Sequence, residues 1–198
     1  MKINKRLPRV LGWLEASLPP NAMERLWSYI EKSHINVKPA LAGQIDRSHE
    51  LVDEEDWFFN NIITDFLDEY AEQFCNLGCL KGLTGYHDYV LDGFWVNYQK
   101  QGEFNPVHSH TGVYSFVIWM KIPTDYREQH KLFGQTNSSD TSNFSFIFPE
   151  DNYSYELDSK MEGTILFFPS ELRHTVYPFY NCDEERISVS GNILLETR

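Results

Sequence analysis

The sequence predicts a mainly β, α+β fold: a jelly-roll sandwich with N-terminal helices packed on one of its sheets. Three observations point there. Apolar residues recur at helical spacing in two segments before residue 88, and the period then changes to that of strands. Six or more short β-branched and aromatic runs follow, separated by Gly, Pro, Asp and Asn with no helix between them. Strands in such succession pair antiparallel, as a sandwich or a barrel. A length of 198 residues suits one domain, with a mainly helical part over 1–87 and the jelly-roll core over 88–198.

After "SLPP", the segment "NAMERLWSYIEKS" sets Asn21 and Glu24 at capping-box spacing and puts Met23, Leu26, Trp27 and Ile30 on one helical face. The stretch "HINVKPALAGQIDRSHELV" is small and polar and reads as a linker. A long second helix is predicted in "DEEDWFFNNIITDFLDEYAEQFCNLG", where Phe58, Ile62, Phe66, Leu67, Tyr70 and Phe74 share a face and Gly78 ends the run. Strands follow in "YVLDGFWVNYQ", "GVYSFVIWMKIP", "SNFSFIFP", "YSYEL", "GTILFFP" and "RISVSGNILLE". The polar stretch "TDYREQHKLFGQTNSSDTSN" between the second and third of these reads as a long loop or lid.

Composition excludes several classes. A formal charge of −12 disfavours a partner grasped through nucleic-acid phosphates, which needs a clustered basic surface. No apolar run approaches the roughly 20 residues of a membrane span, and the first residues lack a signal peptide's apolar core, so a soluble, cytoplasmic protein is expected. Cys75, Cys79 and Cys182 form no disulfide or zinc-finger framework and read as free thiols.

The chemistry gathers around histidine. In "FNPVHSHTGVY", His108 and His110 alternate, and in a strand alternate side chains share a face, so both imidazoles can reach one ion. His174 closes the run "GTILFFPSELRH", where a turn can aim it into the mouth of the sheet. Seven histidines will sometimes give an H-x-H by chance, and His34, His49, His87 and His130 have no partner spacing that promotes them. The context of the pair and of His174 is different: each histidine ends a glycine-led run, from Gly102 to His108 and from Gly163 to His174.

These segments, with "ERISVSGN" beginning eleven residues after His174, resemble the double-stranded β-helix of the Fe(II)- and 2-oxoglutarate-dependent oxygenases, in the branch of prolyl hydroxylases and of oxygenase-like proteins of tailed phages. The resemblance covers about the C-terminal 110 residues by motif. It implies a hydroxylase with Fe(II) and 2-oxoglutarate as cofactors, dioxygen as co-substrate, and expression in a cell that a phage infects. In that family a His-x-Asp/Glu pair and a distal histidine hold the iron. Carried over, His108 is the first ligand and His174 the distal one, while His110 stands where the carboxylate usually is. That departure keeps the ligand count and removes one negative charge; alternatively His110 only supports the ligands, and water or a carboxylate such as Glu103 is the third. No catalytic side chain beyond the ligands is implied.

Arg186 lies twelve residues after His174, with Ser188 on the same strand face. This R-x-S resembles the family's anchor for the far carboxylate of 2-oxoglutarate, a task that suits the planar guanidinium fork. Tyr98 and Asn97 are candidates for further contacts, although strand alternation keeps both from facing inward. Asn192 and Tyr114 are candidate pocket residues; most of Trp95, Tyr114, Phe116 and Trp119 belong to the core. The plain alternative for Arg186 is a salt bridge within "CDEER". Two rival functions stand beside the oxygenase: a cupin-like three-histidine dioxygenase that uses no 2-oxo acid, and a jelly-roll binding module that is not an enzyme. The substrate is open; a prolyl or other amino-acid residue is suggested by the family branch alone.

Overall fold

The computed structural model describes residues 12–74, 88–134, 140–149 and 151–196. Within these described residues, ten strands form two antiparallel sheets. In chain order they are β1 (Leu14–Ser17), β2 (Arg47–Glu50), β3 (Tyr89–Gln99), β4 (Asn105–His108), β5 (Tyr114–Lys121), β6 (Phe144–Ile147), β7 (Asn152–Tyr155), β8 (Thr164–Pro169), β9 (His174–Val176) and β10 (Arg186–Leu195). The larger sheet runs β1-β8-β5-β10-β3-β2 and the smaller β4-β9-β6-β7. The predicted jelly-roll class is the one observed, with three helices, α1 (Pro20–Lys32), α2 (Thr64–Gln73) and the single turn α3 (Tyr126–Gln129).

Both faces of the larger sheet are covered, which is why "FVIWM" of β5 is apolar without interruption. On the outer face Phe94, Val96, Tyr114, Phe116, Ile118, Ile165, Phe167, Val189 and Ile193 meet Leu26, Tyr29 and Ile30 of α1 and Leu67 and Tyr70 of α2. On the inner face Val117, Trp119, Leu166 and Phe168 meet Phe144 and Phe146 of the smaller sheet. Alternation therefore sorts each strand: in β3, Trp95, Asn97 and Gln99 point between the sheets, and in β10, Arg186, Ser188, Ser190 and Asn192 do. At Gly191 an added Cβ would lie 2.6 Å from the Phe116 ring, so the outer face of β10 leaves no room there for a side chain.

The N-terminal helices differ in detail from the expected ones. The Asn21/Glu24 capping box does not form, because α1 begins earlier, on Pro20, with Pro19 as its cap residue. Proline's fixed φ and missing N–H suit a first helical position, which places Asn21 inside the first turn. The second helix starts through a tight turn in which Glu55 and Asp56 have positive φ, and a wider helical turn over Phe59–Ile63 leads into α2. The Asp53 carboxylate accepts from the Phe58 and Phe59 N–H groups at 2.8 Å each, supplying the cap. Gly78, Cys75 and Cys79 lie outside the described residues.

The supposed linker at 34–52 contains β2, paired to β3 with Ser48 opposite Asn97. Like β1, it is a four-residue edge strand with few apolar side chains, and so it leaves little pattern to find. The stretch at 124–143 is not a free lid in its described parts. It carries α3, and its Gln129, Ser142 and Asn143 are buried; the Gln129 side chain bonds both backbone groups of Tyr180 at 2.8 Å. Among the described residues no helix is long and apolar enough to cross a membrane.

One feature of the topology opens a site. Val37 donates to Ser48 of β2 and Gln44 donates to Phe104, just before β4. Residues 38–44 thus strap the edge of the larger sheet to the edge of the smaller one. Between strap and sheets lies a cleft that opens to solvent.

Candidate metal centre

Strands β4 and β9 pair antiparallel with His108 directly opposite His174. Cross-strand neighbours hold their Cβ atoms within about 5 Å, and here the ring centroids are 4.3 Å apart. His110 joins them by a different route from the one predicted. It lies beyond the end of β4, so strand alternation does not place it; its N–H donates to the Ser170 carbonyl at 2.8 Å, at the end of β8. Its ring sits 4.9 Å from that of His108 and 5.1 Å from that of His174. One nitrogen from each histidine lies within 4.8 Å of the others, which makes this the three-residue group among the described residues able to hold a metal ion.

The ring chemistry is fixed by the backbone. His108 Nδ1 is 2.7 Å from the Pro106 carbonyl and His174 Nδ1 is 2.9 Å from the Leu172 carbonyl. A carbonyl only accepts, so each Nδ1 carries the proton and each Nε2 presents a lone pair. The Nε2 atoms of His110 and His174 are 3.3 Å apart. Imidazole–metal bonds of about 2.1 Å meeting at a right angle would set two nitrogens about 3 Å apart, so the spacing fits a shared ion.

Among the described residues no carboxylate lines this cleft. Its ionisable side chains are Lys38 and the three histidines, and Trp95, Phe144 and Phe168 supply much of the remaining wall. Glu103, the candidate alternative ligand, is spent elsewhere: its carboxylate accepts from the Asp46 and Lys100 N–H groups. Burial pushes all three imidazoles toward the neutral form, with His110 lowered to about 4 and His174 to about 3; His108 is lowered for the same reason. The proximity of the other rings adds to the effect at His110 and His174.

Arg186 is 2% exposed and faces between the sheets. Its Nη2 donates to the Ser142 carbonyl and hydroxyl, Nη1 donates to Gln99 Oε1 at 3.4 Å, the guanidinium lies over Phe179, and Nε has no partner. The salt bridge considered for it does not form. Glu184 pairs with Lys121, Glu185 pairs with Arg47, and Asp183 accepts from Gln101. Desolvation without a counter-ion lowers the Arg186 pKa to about 9. On the same face, Ser188 lines the cleft beside Asn97, whose Oδ1 accepts from Ser48 at 2.8 Å.

Two candidates are displaced by strand parity. Tyr98 points to the outer face, where Arg47 stacks on its ring at 3.8 Å. Tyr114 belongs to the helix-facing core, 5.0 Å from both Tyr70 and Phe167. Asn192 is on the inner face, but its Oδ1 accepts from Ser115, which also bonds Ser170, and it does not line the cleft. Trp95 does line it, with its ring 5.9 Å from His110. Lys38, Ser48, Gln99, Asn105 and Ser142 were not found from the sequence; only Gln99 had a signal, its shared parity with Asn97. His49 meets the Tyr98 ring edge-on, His130 bonds Asn143, His34 bonds the Lys32 carbonyl, and His87 lies outside the described residues.

The family model of 2OG-Fe(II) oxygenases matches residues 93–192, just over half of the chain, from within β3 to within β10. The chain belongs to the 2OG-Fe(II) oxygenase family. Iron(II) and 2-oxoglutarate are therefore its cofactors, and it is a dioxygenase. No curated protein sequence matches this oxygenase. Among solved structures, a prolyl-4-hydroxylase of Pseudomonas putida superposes with a TM-score of 0.54 at 14% identity, covering 95% of this chain and 94% of that one. A 2OG-Fe(II) oxygenase-family oxidoreductase of Burkholderia pseudomallei gives 0.55 at 12%, over 91% and 84%. HygX of Streptomyces hygroscopicus, with nickel and 2-oxoglutarate bound, gives 0.52 at 10%, over 92% and 82%. At such identities these likenesses establish the double-stranded β-helix of the oxygenase and nothing finer.

The buried neutral rings make the metal-free oxygenase acid-sensitive. Unfolded histidines take up protons near pH 6.5, whereas in the folded state His110 and His174 resist protonation down to about 4 and about 3. The unfolded state then binds more protons, so the stability present above pH 6.5 is lost as the pH falls through that window. Thermal unfolding of metal-free protein should show a melting temperature that declines from pH 6.5 to 4, with a shallower decline in His110→Gln, which cannot titrate. Equal slopes would contradict the burial argument.

Proposed function

We propose that His108, His110 and His174 hold the Fe(II) of this oxygenase through nitrogen lone pairs, and that Arg186, with Ser188 and Asn97, holds the far carboxylate of 2-oxoglutarate. The substrate we assign is an amino-acid residue, in a peptide or free, with proline the first candidate. The observation that carries the reading is the guanidinium of Arg186: buried, without a carboxylate partner among the described residues, and on the strand face whose next inward residues, Ser188 and Ser190, line the cleft that Arg186 itself stands behind. An uncompensated buried charge costs several kcal/mol, and a carboxylate ligand offsets that cost.

When bound, the iron and 2-oxoglutarate supply the oxidant that places one atom of dioxygen in a substrate C–H bond and the other in succinate, with loss of CO2. The protein's part is positional. The Pro106 and Leu172 carbonyls hold two imidazoles in the ligating tautomer, and Ser170 holds the third in reach. Phe144, Phe168 and Trp95 keep the wall apolar, which strengthens each electrostatic contact inside. Three neutral imidazoles leave the full 2+ charge on the metal, so the dianionic co-substrate is drawn more strongly here than beside a carboxylate ligand. The buried, counter-ion-free Arg186 favours this reading over the three-histidine dioxygenase without a 2-oxo acid, and the family assignment favours it over a non-enzymatic module. A prolyl target is supported by the prolyl hydroxylases among similar folds, which is fold analogy.

The test is succinate formation from 2-oxoglutarate with Fe(II) and dioxygen, first alone and then with proline-containing peptides, free amino acids and nucleosides. Slow uncoupled turnover, raised by members of the first two groups, is the expected result. Stimulation by nucleosides alone would reject the substrate class, and no turnover under any condition would reject the site.

A further inference from the structure

The mouth of the cleft carries two polar groups that the reaction above leaves unused. Lys38, on the strap, is the cationic residue of the lining apart from the histidines. Its Nζ donates to the Ile45 carbonyl at 2.7 Å and stands 3.8 Å from the exposed Asp46 carboxylate, a loose pairing that leaves N–H capacity to spare. Facing the strap, at the start of β4 and three residues before His108, Asn105 lines the same cleft, and its Oδ1 is buried without a hydrogen-bond partner. Buried acceptors are ordinarily satisfied, so this orphan, covered by the strap at the side of the cleft, asks for a donor, which a ligand N–H supplies once Gly43 shifts off it. The strap is shaped around this amide: a Cβ at Gly43 would lie 2.1 Å from Asn105 Oδ1.

We propose that Lys38 and Asn105 form a recognition subsite at the mouth of the cleft that takes a carboxylate together with a neighbouring amide N–H, the pattern of an acylated amino acid or a peptide C-terminus. This rests on the reading of the cleft as the oxygenase's active site. The cation answers the carboxylate, and the orphan acceptor answers the N–H. Among the described residues the lining contains no carboxylate, and the one beside Lys38, that of Asp46, is exposed to solvent and so screened. The buried Asn105 acceptor gives its contact more weight than it would have in water, while the charge of Lys38, whose side chain is 37% exposed, is partly screened. The chemistry also bears on regioselectivity: a substrate held by its acid end at the mouth offers its own side chain, rather than a distant residue, to the histidine cluster.

A carboxylate could also be that of 2-oxoglutarate, and the experiment separates the two sources. Protein loaded with Mn(II), a redox-silent stand-in for the iron, is saturated with 2-oxoglutarate. Paramagnetic relaxation of the acetyl methyl protons is then measured for N-acetylglycine and for N-acetylglycinamide, in wild type, Lys38→Met and Asn105→Leu. Calorimetry gives the 2-oxoglutarate Kd of each protein, and circular dichroism checks each fold. The acid probe should be relaxed about fivefold more than the neutral one in wild type, a preference that both variants erase while the 2-oxoglutarate Kd moves less than about twofold. Equal relaxation of the two probes overturns the proposal, as does a rise of about tenfold in the 2-oxoglutarate Kd in Lys38→Met, which would give the amine to the co-substrate. A wild type that binds neither Mn(II) nor 2-oxoglutarate instead defeats the active-site reading beneath it.

Discussion

Replacing Arg186 with methionine is expected to abolish useful 2-oxoglutarate affinity and, in the same protein, to leave the ligand-free fold as stable as wild type or more so. The two halves have one cause. The guanidinium is buried, its pKa is lowered to about 9 by desolvation, and no carboxylate offsets its charge. Exchanging a buried ion for an apolar side chain of similar volume is neutral or stabilising by about 1–4 kcal/mol. Methionine suits the site because Phe179 packs against the group and the thioether adapts to irregular space. Against this stand the lost bonds to Ser142 and Gln99, each contributing about 1 kcal/mol or somewhat more. For the ligand the balance is one-sided. Truncating one partner of a buried, hydrogen-bonded charge pair costs about 2–5 kcal/mol, so Kd should rise between about 30-fold and a few thousand-fold. Calorimetry with Fe(II) or Mn(II) gives the Kd, and thermal unfolding gives the stability. A variant that loses several kcal/mol of stability yet keeps its 2-oxoglutarate affinity would mean that Arg186 only ties β10 to Ser142.

The second large effect is expected at His174. It is the most deeply buried of the three rings, and it stands opposite His108 in the strand register. Changes that merely reorient a metal-ligating histidine weaken metal affinity by about 10- to 100-fold, so His174→Ala should exceed that range and abolish turnover. The same change leaves a space among Phe144, Phe146 and Phe168 and should lower the stability of the metal-free protein by about 2–4 kcal/mol. Exposed His34→Ala, the control, should alter neither property. His110→Asp separates ligation from packing. An unpaired carboxylate against Trp95 and two imidazoles should destabilise the metal-free chain, and metal should rescue it, widening the gap between apo and loaded melting temperatures. If that gap were unchanged, His110 would lie outside the coordination sphere.

Much of this arrangement was legible in the sequence because it depends on strand parity. The outer face is spelled by Phe94, Val96 and Phe116, the inner by Trp95, Asn97 and Ser188, and these alternate through β3, β5 and β10. The same parity excludes Tyr98 and Tyr114 from the cleft, since Asn97 and Ser115 already claim the inward positions beside them. The inward course of Arg186 could be argued from the strand "ISVSGNI" that follows it. His110 shows the limit of the rule: the H-x-H spacing suggested alternation along one strand, whereas a loop anchored on Ser170 brings the ring in. Lys38 and Asn105 left no trace, because a strap between two sheet edges depends on contacts such as Gln44 with Phe104 that are distant in sequence. The short edges β1 and β2 were missed for the reason that edges carry little apolar pattern.

The central claim is that three imidazoles and one guanidinium serve a single iron and 2-oxoglutarate pair. Anaerobic titration of the protein with Fe(II), followed by 2-oxoglutarate, tests it in one cuvette. The account predicts one iron per chain and a visible metal-to-ligand charge-transfer band that grows with 2-oxoglutarate, is absent in His174→Ala, and in Arg186→Met appears only at far higher co-substrate concentrations. A full-strength band in either variant, or none in wild type that has bound iron, would contradict it.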